Sequence, residues 1–152
     1  MPMNFDGTPT TVIATTGTIA DGNFTVSGTN ATITEFDNST DLWTMGLAVL
    51  SLPDTFVAAP TDGAFIELYM CKQDISSTLD ETAPALADQK GAKRVALFRM
   101  YATDENQPKG EVFSLAGVRK AKFFLKNSCG QTMSYTAGAT VTVEGFDPYP
   151  AA

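Results

Sequence analysis

A chain of 152 residues is long enough to bury one real core and too short for two. Its formal net charge of −7 sets it against free nucleic acid and anionic membrane surfaces. It has no histidine, and its cysteines, Cys71 and Cys129, lie far apart without CxxC spacing, which excludes the usual zinc sites and histidine-based acid–base catalysis. Threonine, serine, glycine and asparagine take the place of many charged residues, and these suit strands and turns better than helices. No basic leader followed by an apolar stretch is found, nor any apolar run long enough for a membrane helix. The expected setting is therefore a cytosol-like compartment in which both thiols stay reduced.

Charge is distributed unevenly along the chain. Residues 1–71 carry eight acids and no Lys or Arg, residues 72–126 carry all ten bases and seven acids, and residues 127–152 carry two acids. Such asymmetry gives an acidic and a more basic surface, by which identical subunits can dock, unless folding interleaves the segments and cancels it.

In chain order, residues 1–40 hold weak extended runs at Thr11–Thr18, Phe24–Val26 and Ala31–Phe36, punctuated by "DG" and "GTN". They are expected as an N-terminal arm, able to add a strand to a neighbour, or as peripheral strands. A β-sandwich domain is expected over 41–152. In "LWTMGLAVLSLP" the bulky Trp43, Met45, Leu47 and Val49 alternate with small residues, the pattern of a strand packed under a second sheet. "AFIELYMCK", 64–72, predicts a strand with Ile66, Leu68 and Met70 inward, Glu67 outward, and Cys71 beside Glu67 at an edge or contact.

Residues 73–93 form a long polar stretch, expected as a contact loop or arm, with room for a short helix capped at Ser77 or Thr78 and limited by Pro84. "RVALFRMYA", 94–102, predicts a third strong strand with Ala96, Phe98 and Met100 on one face, and "TDENQPKG" a turn before "EVFSLAGV". "KAKFFLKN" points Ala121, Phe123 and Leu125 inward and its lysines outward, with Phe124 exposed or bridging; "GATVTVEGF" alternates Val141 and Val143 with polar residues. No helical period persists. Several short strands between turn signals predict an all-β single domain, an antiparallel β-sandwich or jelly roll with an extended N-terminal segment.

Chemistry-bearing motifs are scarce. There is no GxSxG, GxGxxG or phosphate-binding loop, and the dense carboxylate pairs, Asp80–Glu81 and Asp104–Glu105, fall in polar loop sequence. "DNSTD", Asp37 to Asp41, has calcium-ligand chemistry but lacks the glycine and distal glutamate of an EF-hand loop. The expectation is a protein with no enzymatic activity, no cofactor and no metal. Arg119, Lys120, Lys122 and Lys126 form the candidate protein-contact surface. A solvated edge, docking on an acidic protein surface, and phosphate binding are the three roles such cations can take.

From Asp41 onward the order of features resembles a family of small virion structural proteins of tailed bacteriophages. The residues that carry it are "DLWTMGLAVL", "AFIELYMCKQD", the 73–93 loop, "RVALFRMYA" and "AKFFLKNSCGQTMSYTAGATVTVEGFDPY". The most specific is "KNSCGQT", Lys126 to Thr132, similar to the family's "KNxTGQT" with Cys129 where threonine is usual. In that stretch Asn127 can bond a tight turn and Gly130 can supply a positive φ, so a register-fixing hairpin connection is expected. The resemblance implies a capsid decoration (cement) protein that binds the major capsid protein lattice as a homo-oligomer, in virions assembled in the host bacterial cytoplasm. A head–tail, neck or tube component and a carbohydrate-binding module on a tail or spike are the alternatives, the last resting on Trp43, Tyr69, Tyr101 and Tyr135 as aromatics able to stack on sugars. No catalytic residue is implied.

Overall fold

A computed structural model of the protein describes residues 7–52, 59–73, 81–101, 108–133 and 138–148. Among them the strands are β1 (Thr10–Thr15), β2 (Ala31–Ile33), β3 (Phe36–Asp37), β4 (Met45–Ser51), β5 (Phe65–Gln73), β6 (Lys93–Arg99), β7 (Lys109–Ser114), β8 (Lys120–Ser128) and β9 (Thr140–Phe146). They form one five-stranded sheet in the order β2-β1-β9-β4-β7 and one four-stranded sheet in the order β3-β8-β5-β6. Every pairing between strands is antiparallel. Turn-forming glycines, alternating apolar residues and the absence of a helical period lead to this result, a β-sandwich.

The alternation in β8 and β9 reads directly into the core. Ala121, Phe123 and Leu125 from one sheet meet Val141 and Val143 from the other, all buried in one cluster with Ile66, Leu68 and Phe98. Phe123 packs edge-on against Phe36 and Phe113, with ring centroids 6.2 and 5.6 Å away.

In β4 the small face turns inward. Gly46, Ala48 and Leu50 are buried, whereas Met45, Leu47 and Val49 lie half-exposed on the outer side. The reason is the ring opposite: a Cβ on Gly46 would sit 2.7 Å from Phe113 Cζ and 3.1 Å from Leu115 Cδ1, so those side chains already fill the space above the strand.

Residues 1–40 were expected as an arm or as peripheral strands. β2 and β3 do lie at sheet edges, but β1 is an interior strand held between β2 and β9. The intervening segment pairs with the edge of β8: Thr25 N donates to Leu125 O at 2.8 Å, Asn127 N to Asn23 O at 2.9 Å, and Gly22 N to Asn127 O at 2.7 Å. This strap carries Phe24 onto the outer face of the four-stranded sheet. There Phe24, Tyr69, Cys71, Ala92 and Phe124 form a second buried cluster, with Phe24 edge-on to Tyr69 at 5.1 Å.

Several expectations change accordingly. Phe124, expected exposed or bridging, is buried under the strap, and Cys71 is a core residue instead of an edge contact. Of the 73–93 loop, the described part folds back on the same face, where Leu86 O accepts Phe24 N at 2.8 Å and Glu81 Oε2 accepts Lys72 N at 3.0 Å. The helix start at Ser77 or Thr78, most of the 103–110 turn, and Tyr135 lie outside the described residues.

"KNSCGQT" closes no hairpin, since β8 and β9 belong to different sheets. Its local geometry is nonetheless the expected one. Asn127, fully buried, donates through Nδ2 to Ile19 O at 2.9 Å and Gln131 O at 2.7 Å, while its Oδ1 accepts Cys129 N at 3.1 Å. Gly130 has φ 78°, and a side chain there would meet Thr61 Oγ1 at 2.6 Å.

Candidate functional site

The quartet singled out, Arg119 just before β8 and the three lysines on it, is divided by its neighbours. Lys120 opposes Asp37 across the β3–β8 pair and lies 3.1 Å from Glu35 and 3.4 Å from Asp37. The Glu35 and Asp37 carboxylates hold its ammonium above the ordinary lysine range. Lys126 faces Glu67 across the β5–β8 pair at 3.8 Å and caps the Phe24 ring at 5.6 Å. Its charge and stem therefore serve the strap. Arg119 is exposed and Lys122 half-buried, and neither has an ion-pair partner among the described residues. The cationic surface is thus reduced, where described, to those two side chains.

Glu67 is the hub of this side. It is almost fully buried, and accepts hydrogen bonds from Arg94 Nη1 and Ser128 Oγ, each at 2.8 Å. Burial alone would push its carboxyl up, but these two bonds and the charges of Lys126 and Arg94 outweigh it and hold the group below its ordinary value of 4.5. A carboxylate so held is charged at neutral pH and is suited to fastening strands together. The thiols point the other way: burial, then the Glu81 charge, pushes Cys71 up to about 11, and burial pushes Cys129 up as well. Neither forms a disulfide, and both are fully buried.

Two features outside the quartet have functional geometry. The first is the outer face of the five-stranded sheet. Register places Glu144, Leu47 and Val112 in one row, Thr142, Val49 and Gly110 in the next, and Phe146, Met45 and Ser114 in a third. An aliphatic stripe of Met45, Leu47, Val49 and Val112 therefore runs down the sheet beside threonines, with Glu144 as the charge in its midst. Val112 is 46% exposed.

The second is a cleft of about 280 Å³ at one end of the sandwich, lined by Gly7, Thr8, Thr10, Phe36, Asp37, Asp41, Trp43 and Gly145. Buried Asn38 shapes it: its Nδ2 donates to Trp43 O and Val118 O, both at 2.9 Å, and its Oδ1 accepts Trp43 N at 2.8 Å. The loop between Asn38 and Trp43 is closed into a ring, with Leu42 forced to φ 55°. The Trp43 side chain lies on Gly145, where an added Cβ would overlap it. Trp43, expected in a core-like alternation, does pack half-buried against the main core, and its side chain fits the gap left by Gly145.

No protein family, characterised protein or solved structure matches the chain. The class is defined by the fold itself, an antiparallel β-sandwich whose four-stranded sheet is covered on its outer face by a strap.

Proposed function

We propose that the protein is a non-enzymatic structural component of a tailed-bacteriophage virion, a capsid decoration (cement) protein that docks as a homo-oligomer on the major capsid protein lattice and stabilises the head. The observation that carries this reading is the outer face of the five-stranded sheet, where half-exposed Met45, Leu47 and Val49 and exposed Val112 form an aliphatic stripe. A face of this kind on an otherwise acidic chain favours contact with protein over contact with nucleic acid. The resemblance of residues 41–149 to phage virion proteins supports it, since the segments that carry the likeness contribute β4, β5, β6, β8 and β9.

The magnitude suits a cement. Strands spaced ~4.8 Å apart and six residues long at ~3.3 Å each make a face of roughly 500 Å². That is short of the ~800 Å² that each partner contributes to a stable binary complex. A single contact would be weak, and repetition across a lattice would supply the missing affinity.

The test is co-sedimentation with expanded empty capsids, with copy number per virion counted by mass spectrometry. Val112→Glu, at an exposed edge position, should weaken binding about tenfold or more without shifting thermal stability. Unchanged binding by V112E, together with loss in Lys122→Glu, would move the contact to the β8 side. A copy number far below that of the major capsid protein would assign the chain to the tail or neck instead.

A further inference from the structure

We propose that the cleft between the start of β1, β3 and the end of β9 binds a neutral sugar unit of a glycan, with Trp43 as its aromatic wall and Asp37, Asp41 and Thr8 as its polar rim. This goes beyond the docking role and does not depend on it. A pyranose ring presents an apolar C–H face bordered by hydroxyls. The cleft is mostly polar, with carboxylate and hydroxyl oxygens around it and Trp43 among its lining residues. At about 280 Å³ it has room for a terminal sugar and not for a long buried chain.

The surroundings select among ligand classes. Asp37 accepts the Ser39 backbone N–H at 2.8 Å and lies 3.4 Å from Lys120, so its carboxylate stays ionised and can accept a hydroxyl proton. Two carboxylates at the rim repel phosphate, sulfate and acidic sugars. A wholly apolar ligand would strip water from those carboxylates without replacing its hydrogen bonds. A divalent cation would need six or more oxygens, and it would have to share Asp37 with the Lys120 ammonium.

The site is also preorganised. Trp43 is held through both its backbone N–H and C=O by Asn38, and its side chain rests on Gly145. Little ordering remains to be done when a ligand arrives.

Trp43 is the chain's single tryptophan, so its emission reports on this cleft alone. The full chain is titrated with glucose, galactose, mannose, N-acetylglucosamine and their short oligomers, with intrinsic fluorescence as the readout. The expected result is a saturable shift to shorter wavelength with at least one of them, as a stacked sugar excludes water from the indole. Because Trp43→Ala would also strip packing from the core, the discriminating variants are Asp41→Ala and Thr8→Val, at exposed positions. Asp41→Ala should weaken the response about tenfold or more, as loss of a hydrogen bond to a charged acceptor does, with an unchanged melting midpoint. No emission change at tens of millimolar of any sugar would overturn the proposal. So would an undiminished response in D41A, or a response to calcium chloride alone.

Discussion

Removing the Asn127 side chain should be among the most damaging single changes available on β8. In Asn127→Ala the buried Ile19 carbonyl keeps only its Met133 N–H donor, the part-buried Gln131 carbonyl loses its amide donor, and the buried Cys129 N–H loses its acceptor. Each such bond contributes about 1 kcal/mol net, rising to about 1–3 kcal/mol where the partner stays buried and unmet. The expected loss is therefore about 3–5 kcal/mol, a large share of the 5–15 kcal/mol typical of a domain, and a fall of roughly 6–20 °C in Tm. Urea unfolding followed by Trp43 fluorescence measures it, with Gln131→Ala as control, because only the backbone carbonyl of Gln131 takes part in this network. Asn127→Asp sharpens the reasoning. A carboxylate facing two carbonyls is disfavoured, so the folded-state pKa of the new acid rises and the variant should regain stability as pH falls through that raised value, the recovery being complete near the unfolded value of about 4. A loss under about 1 kcal/mol for N127A, or no pH dependence in N127D, would refute the claim that this amide joins the strap to the β8 turn.

Gly145→Ala should cost about 1–3 kcal/mol by displacing Trp43, visible as a red-shifted emission in the native state. Glu67→Gln should destabilise the protein near neutral pH. Since the folded pKa of Glu67 is held below 4.5, its contribution is present above that value and is lost as pH falls through the folded pKa. The gap between wild type and E67Q should thus close on acidification, as read from melting midpoints across that window. Both thiols should resist Ellman's reagent under native conditions and react together across the urea transition, because Cys71 and Cys129 are fully buried and their thiolates disfavoured.

The strands were legible because their alternation is strong where one face alone is buried. Val141 and Val143 in β9, and Ala121, Phe123 and Leu125 in β8, go inward as their period requires. Legibility failed where a face is covered twice. In "FIELYMC" nearly every side chain is buried, a continuous run that marks a strand enclosed on both sides, yet Glu67 within it suggested an open face. Only Arg94, Ser128 and Lys126, all distant in sequence, explain how that carboxylate can sit under cover. The β4 pattern failed for a different reason. Alternation tells which residues share a face, but the choice of inward face was made by Phe113 and Leu115, whose bulk leaves room opposite only for Gly46. The cleft was unreadable because it joins Gly7, Asp41 and Gly145, which no local pattern connects.

The position of β9 has a consequence for synthesis. It is the strand between β1 and β4, registering Thr10 with Val143 on one side and Met45 with Phe146 on the other. While residues beyond 140 are still inside the ribosome, β1 holds only the short β2, β4 holds only β7, and the two halves of that layer have nothing to join them. That layer therefore stays incomplete, with Ile13 and Leu50 short of their native cover, until β9 emerges, and that interval is when chaperone capture or misassociation would compete with the native product.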